Sequence, residues 1–291
     1  MPISNKIEWI SSEDSRNESI LMDLQKKMED FYANSKTYYK DIDFTKNVWI
    51  NPSALIQKDI IRELQGNKRI LEVGCGSANI LMANAIDESE YSGVEFSSEL
   101  INLNKSKFPK ATFKVIEDPR IIPFEENLFD VVFSTYVLEH TVFPGNFLKE
   151  CMRVLKPGGV LIVVCPDFLG KGRMSSQRCG LSQGTGKEKF MMGKIFDAFI
   201  TGFDSKVRVP ITALILRRKA IKKPQFYINI NPICFEDKFR PDVDAIYVTY
   251  DHEIKSFLKS IGIICKELDK DLLEYSHLHR NIYIKGIKIG G

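Results

Sequence analysis

Between Arg69 and Cys165, short apolar runs alternate with stretches of helical period, and few folds accept that order. The runs near 69–73, 91–95, 111–116, 129–134 and 160–165 predict strands. The segments near 78–86, 98–106 and 144–155 predict the helices between them. Strands joined by helices return to the same end of a sheet and so run parallel, with helices covering both faces. Lys156-Pro157-Gly158-Gly159 ends the third helix and turns the chain into the strand "VLIVVC".

The expected fold class is therefore α/β: a Rossmann-like doubly wound seven-stranded sheet, mostly parallel. A helix over Asp251–Ser260, a strand over Ile263–Leu268 and a last strand over Asn281–Ile289 complete it. No helical crossover is legible between those two strands, which predicts an antiparallel edge strand. Two helices precede the sheet. The first, over 15–34, opens on the capping box Ser15-Arg-Asn-Glu18; the second takes Asn51 as cap and Pro52 in its first turn, carries Leu55, Ile56, Ile60 and Leu64, and stops at Gly66. Between Asp167 and Tyr250 the strand pattern lapses, and Thr185-Gly-Lys-Glu188 caps a helix carrying Met191, Ile195, Ala198 and Phe199. The chain thus divides into an N-terminal helical cap (1–66), a Rossmann-like core (67–166), a lid or substrate insertion (167–249) and the rest of the sheet (250–291).

Composition narrows the function. Of 291 residues, 41 are basic and 38 acidic, a net charge of +3 that leaves no overall footprint for nucleic acid. Charge is nevertheless uneven: from Lys171 to Lys223 there are 13 Lys or Arg against three acids. The six cysteines lie far apart without a Cys-x-x-Cys, so neither a zinc site nor a disulfide framework is legible, and reduced thiols in a cytoplasmic protein are expected. No signal peptide and no membrane-length apolar run are legible.

The stretch "RILEVGCGSANI" ends a strand in Glu72-Val-Gly74-Cys75-Gly76 and turns at once into a helix. Glycine lacks the Cβ that would keep a ligand away from backbone N–H groups, so this junction suits a small molecule. The next strand ends in Glu95, placed to accept hydrogen bonds from ribose hydroxyls, and the third is expected to end in Asp118, where a carboxylate can meet a purine amino group. A dinucleotide fingerprint fails because Asn79 stands where its last glycine belongs.

Taken in order, Glu72, Gly74, Gly76, Glu95, Asp118, "PFEENLFDVVFSTYVLEH" and "FLKECMRVLKPGGVLIVV" resemble the class I S-adenosylmethionine-dependent methyltransferases, in particular the small-molecule group with an E-x-G-x-G motif. The resemblance covers roughly residues 66–166. It implies S-adenosyl-L-methionine as cofactor, Glu72, Gly74, Cys75 and Gly76 at its methionine side, Glu95 at the ribose, Phe96 beside the adenine, Asp118 at the adenine amino group, and Ser134 to Tyr136 closing the methionine side. Ala78 departs from the pattern, standing where many members carry a third glycine.

A sulfonium methyl is already activated, so in-line displacement requires mainly a positioned acceptor and the exclusion of water. No metal is needed, and no carboxylate cluster of the kind metal-dependent catechol methyltransferases use is legible. His140 is the candidate base for a hydroxyl acceptor; its alternative role is to hydrogen-bond the local turn. Tyr38 and Tyr39 are candidates for a flap, or for plain aromatic packing. Arg173 and Arg178 in the basic insertion suit an anionic acceptor such as a carboxylate, a phosphate or a peptide C-terminus, or form a solvated face. "ITALIL" beside "RRKAIKK" reads by default as a lid helix, with contact to a membrane or a lipid-linked acceptor as the alternative. The expected reaction is O-methylation in natural-product biosynthesis, of a small or medium-sized acceptor through a carboxylate or hydroxyl. RNA methylation and a catalytically silent cofactor-binding module are the competing classes.

Overall fold

The computed structural model describes residues 6–34, 49, 54–66, 68–83, 86–170, 179–232 and 244–290. Seven strands form the main sheet: β2 (Ile70–Val73), β3 (Tyr91–Glu95), β4 (Thr112–Val115), β5 (Phe129–Thr135), β6 (Leu155–Pro166), β8 (Ile263–Cys265) and β9 (Asn281–Lys288). Their spatial order is β4-β3-β2-β5-β6-β9-β8, with β2 to β6 mutually parallel and β9 antiparallel to both neighbours. The doubly wound, mostly parallel sheet is as expected, and the antiparallel strand lies one place in from the edge. A two-stranded ribbon pairs β1 (Trp9–Ser11) with β7 (Tyr227–Asn229).

Alternation along the strands explains why helices cover both faces. Leu71, Val132, Leu161 and Val163 point into one core with Leu24 and Met28 of α1 (Glu18–Asn34) and Leu148 and Cys151 of α4 (Pro144–Val154). Their neighbours Ile70, Val131, Ile162 and Val164 point into the other. There they meet Ile56, Ile60 and Leu64 of α2 (Leu55–Leu64) and Ile101 of α3 (Ser98–Lys107). A strand buried on both sides reads as a continuous apolar run, which is why these strands were legible.

Three local expectations need correction. The first helical segment is capped by Asp14, whose side chain accepts from Arg16 N, so Ser15 is already inside a 3₁₀ turn (Ser15–Asn17). The helix expected over 78–86 is a 3₁₀ segment, Asn79–Ala83. A helix, α9 (Lys270–Leu278), which follows α8 (Asp251–Ser260), does separate β8 from β9; Asp269 caps it by accepting from Leu272 N at 2.9 Å. It lies where the parallel strands end, because Asn281 opposite Pro166 starts β9 there and sends it back antiparallel. Asn51 and Pro52 lie outside the described residues, and Ala54 is the N-cap position of α2.

A polar clasp fixes α2 to the sheet. Lys285 of β9 donates to Asp59 at 2.8 Å and Glu63 at 2.9 Å, and the Tyr283 hydroxyl donates to Asp59 at 2.5 Å. Desolvation opposes the Asp59 carboxylate, yet the donors from Lys285 and Tyr283 leave its pKa below the ordinary value. The insertion is helical: α5 (Gly186–Met191), with the expected Thr185–Glu188 capping box, then α6 (Ile195–Phe203), a π-helical stretch Asp204–Arg208, and α7 (Val209–Lys222). Ala213 and Leu216 of α7 pack with Phe168, Leu169, Tyr227 and Val248.

Candidate active site

The carboxyl ends of β2, β3 and β5 open into a cavity of about 760 Å³. Glu72, at the penultimate position of β2, is buried and accepts from the Tyr91 hydroxyl. Burial raises its pKa to about 8, against the lowering effect of the Tyr91 hydrogen bond and with a smaller raising effect from Glu95. Beyond it the chain turns sharply. Gly74 N and Cys75 N donate to Val94 O at 2.9 and 3.0 Å, tying the loop to β3. Gly74 has φ +77°, and a Cβ there would stand 2.4 Å from Val137 Cγ2, so the position excludes side chains twice over. Ala78, the departure noted above, adopts φ +50° and carries the cost of a left-handed non-glycine residue, about 1–2 kcal/mol.

Two residues that stabilise this loop escaped the sequence reading. Asn104 on α3 is buried and donates to Gly76 O at 2.7 Å. Gly93 inside β3 makes room for Cys75, whose Sγ would lie 2.8 Å from a Cβ at that position. The signals were an asparagine within an otherwise solvent-polar helix and a glycine within a strand, each legible only once a partner is known.

Glu95 lines the cavity from the end of β3. Its Oε2 accepts from Gly76 N at 3.1 Å and its Oε1 from Phe96 N at 2.8 Å. Burial pushes its pKa up, and the backbone N–H groups of Gly76, Phe96 and Ser97 oppose that shift. Phe96, Cys75, Gly74, Gly76 and Tyr136 join it around the cavity. Tyr136 stands at φ +57° and its hydroxyl accepts from Asn281 Nδ2 at 2.9 Å.

Two expected members stand apart. Ser134 is buried and donates to Val73 O at 3.0 Å, a strut between β5 and β2. Asp118 takes the Arg120 side chain at 3.1 Å and its backbone N–H at 2.9 Å; these bonds hold its pKa below the ordinary carboxylate value. Its neighbours Glu117 and Pro119 line the cavity instead. Tyr38, Tyr39, Arg173 and Arg178 lie outside the described residues.

His140 ends the 3₁₀ turn Leu138–His140 after β5 and lines the cavity. Its Nδ1 lies 3.3 Å from the carbonyl oxygen and 3.5 Å from Oδ2 of Asp244, a buried residue of the insertion. Glu139 Oε1 is 3.9 Å from Nε2. The insertion is docked here through its backbone, since Ile246 N and Tyr247 N both donate to Glu139 O at 2.8 Å. The remaining wall is largely apolar, with Met28, Ile56, Ile60, Phe143 and Phe147. Gln57 adds a buried Oε1 that lacks a hydrogen-bond partner among the described residues.

This donor set fits S-adenosylmethionine. A buried carboxylate at Glu72 and a half-buried one at Glu95 suit a cationic amino acid moiety and a ribose diol, and a backbone loop with no side chain at Gly74 admits close approach. The fold and the segment 71–163 are those of a class I S-adenosylmethionine-dependent methyltransferase domain, whose cofactor is S-adenosylmethionine.

Comparison with known proteins gives the particulars. Residues 71–163 match the methyltransferase domain family. Demethylmenaquinone methyltransferase of Bacillus pumilus is 32% identical over 122 residues, 38% of this chain and 51% of that protein. Sterol 4-C-methyltransferase strm-1 of Caenorhabditis elegans is 31% identical over 106 residues, 35% of this chain and 32% of that protein. The chain thus spans about half the length, or less, of these curated relatives. A chain from the solved complex between the Haloferax volcanii Trm112 methyltransferase activator and a methyltransferase shares the fold, with a TM-score of 0.50 at 13% identity, covering 90% of this chain and 98% of that one.

Proposed function

We propose that the protein transfers a methyl group from S-adenosylmethionine, by in-line displacement, to a hydroxyl oxygen of a small or medium-sized, largely apolar natural-product acceptor. The bound cofactor supplies a sulfonium methyl, a carbon electrophile that needs no further activation. Glu72, Gly74, Gly76, Glu95 and Phe96 would hold it. The observation that carries the oxygen reading is His140 in the cavity wall with Nδ1 beside Asp244. A proton on Nδ1 directed at Asp244 leaves Nε2 to take the acceptor's hydroxyl proton, and the Asp244 and Glu139 carboxylates favour the imidazolium so formed. The apolar wall of Met28, Ile56, Phe143 and Phe147 supports an apolar acceptor and excludes water. The two relatives cited above are named for demethylmenaquinone and for carbon 4 of a sterol.

The test is incubation with ¹³C-methyl-labelled S-adenosylmethionine and a panel of apolar hydroxylated acceptors, followed by mass and NMR analysis. An O–CH₃ resonance is expected. A C–CH₃ resonance would move the reaction to carbon, and methyl-labelled RNA in a parallel arm would move it to nucleic acid.

A further inference from the structure

Helices α5 and α6 form a hairpin whose outer face is apolar. Phe190, Met191, Met192, Ile195, Phe196 and Phe199 are each exposed, from 62% at Phe196 to 77% at Met191. The inner side of the hairpin is satisfied separately. Thr201 is buried with its hydroxyl 3.2 Å from that of Ser182, and Gly186 backs onto the Ala198 carbonyl, which a Cβ there would approach to 3.2 Å. Met192 and Gly193 lie in the turn, so the apolar face wraps around a tip instead of lining a groove. Scattered exposed apolar residues are ordinary, but large ones joined in one patch mark a surface that is covered in use.

Charge identifies what covers it. Residues 186–223 hold ten Lys or Arg and three acids. Two of those acids have partners within the fold: Glu188 in the capping box with Thr185, and Asp204 with Arg208 at 2.9 Å. Lys187, Lys189 and Lys194 belong to the hairpin itself, and Lys206 follows it. A surface that offers this tip an apolar interior below an anionic layer satisfies both sets of side chains at once. A bilayer deforms around a convex tip, whereas a rigid protein partner would need a matching pocket. At nine residues α6 is about 14 Å long, against a hydrocarbon core of about 30 Å, and no helix among the described residues is long and apolar enough to cross.

We infer that the α5–α6 hairpin is a membrane-surface docking site, its Phe, Met and Ile side chains entering the headgroup boundary of an anionic phospholipid bilayer and its lysines meeting the lipid phosphates. The inference stands independently of the methyl-transfer reading, since it uses none of the cavity residues.

The experiment is flotation of the full chain with vesicles of phosphatidylcholine alone or with about a third phosphatidylglycerol, at low and high salt. The wild type is expected to float with the anionic vesicles several-fold more than with the neutral ones, and less at high salt. The Phe196→Ser/Phe199→Ser and Lys187→Glu/Lys194→Glu variants are each expected to lose most of that binding. Both pairs lie on the surface, and circular dichroism and melting temperature confirm that the fold is retained. Phe196→Trp should show a blue-shifted emission with anionic vesicles. Absence of wild-type flotation overturns the inference, as does undiminished flotation of the Phe196→Ser/Phe199→Ser protein. A wild-type dimer in sedimentation that this variant abolishes, without vesicle binding, would assign the patch to a second copy.

Discussion

Asp244 reaches His140 across 104 residues of sequence, with its Oδ2 3.5 Å and its carbonyl oxygen 3.3 Å from Nδ1. The insertion therefore supplies the orienting partner of the candidate base, and the core supplies the base. Asp244→Asn keeps the carbonyl contact but removes the charge that favours an imidazolium. The expected outcome is a fall in kcat of about tenfold to a hundredfold with unchanged affinity for S-adenosylmethionine. His140→Ala should lower kcat further, again without loss of cofactor affinity. Full activity in His140→Ala would return this histidine to a turn-bonding role and point to an acceptor already ionised, such as a carboxylate.

With Glu72 at the cofactor's ammonium group, as proposed, cofactor binding is expected to release a proton. Burial holds its pKa near 8, so at neutral pH the carboxyl of the free protein is largely protonated. A cationic ligand set beside it favours the carboxylate and lowers that pKa. Calorimetry at pH 7 in buffers of different ionisation enthalpy should show a proton released, with affinity rising as pH goes from about 6 to 8. Stability runs the other way. The folded pKa lies above the ordinary 4.5, so the native state binds more protons within that window, and stability falls as pH rises from about 4.5 to 8. Glu72→Gln should abolish the proton release, flatten this slope and weaken cofactor binding about tenfold.

Gly74→Ala should be severe, because the new methyl meets Val137 at 2.4 Å in a backbone conformation of φ +77°. A loss of about 2–4 kcal/mol in stability is expected, with cofactor binding abolished. The Gly74→Ala/Val137→Ala double variant separates the two causes. Removing the valine relieves the clash and leaves the dihedral strain, so chemical denaturation should recover part of the loss and not all of it.

These cases show which parts of the molecule were legible in the sequence. β2, β3, β5 and β6 are buried on both faces, so Ile70 to Val73 and Val160 to Cys165 appear as apolar runs whatever packs against them. Glu72, Glu95 and the glycine loop were legible because strand ends in a parallel sheet converge. Asp244 was not, because a single acid beside an irregular stretch carries no period, and its meaning comes from a partner in another part of the chain. Asp118 illustrates the opposite failure. Its strand ends at Val115, three residues earlier than expected, and the preference of its carboxylate for Arg120 two residues on depends on side-chain geometry that spacing does not encode.

The clasp between α2 and β9 is expected to contribute to stability. Lys285→Met would leave the buried Asp59 carboxylate with Arg62 and the Tyr283 hydroxyl but without the lysine that also holds Glu63, at a cost of about 2 kcal/mol by thermal or urea unfolding. The lowered Asp59 pKa fixes the pH behaviour of the wild type: the contribution is present above the ordinary value of 3.8 and is lost as pH falls through the lower folded value. Lys285→Met should unfold at a lower urea concentration at pH 7, and this difference should shrink toward pH 3.

Glu95 and Asp118 were read as a matched pair, one for ribose and one for adenine, and their surroundings now set them apart. The Glu95 carboxylate lines the cavity among backbone N–H groups, whereas Asp118 is not in the lining and is bonded to Arg120, which is. Glu95→Gln keeps the shape but loses the charge that strengthens hydrogen bonds from hydroxyls, so affinity for S-adenosylmethionine should weaken by about 1–3 kcal/mol. Asp118→Ala should leave that affinity within about twofold, since the ion pair with Arg120 is exposed and weak. Calorimetric titration of both variants decides the matter. An equal loss in each would mean that Asp118 leaves Arg120 for the adenine when the cofactor binds, and the free-state ion pair would then be a resting position of that side chain.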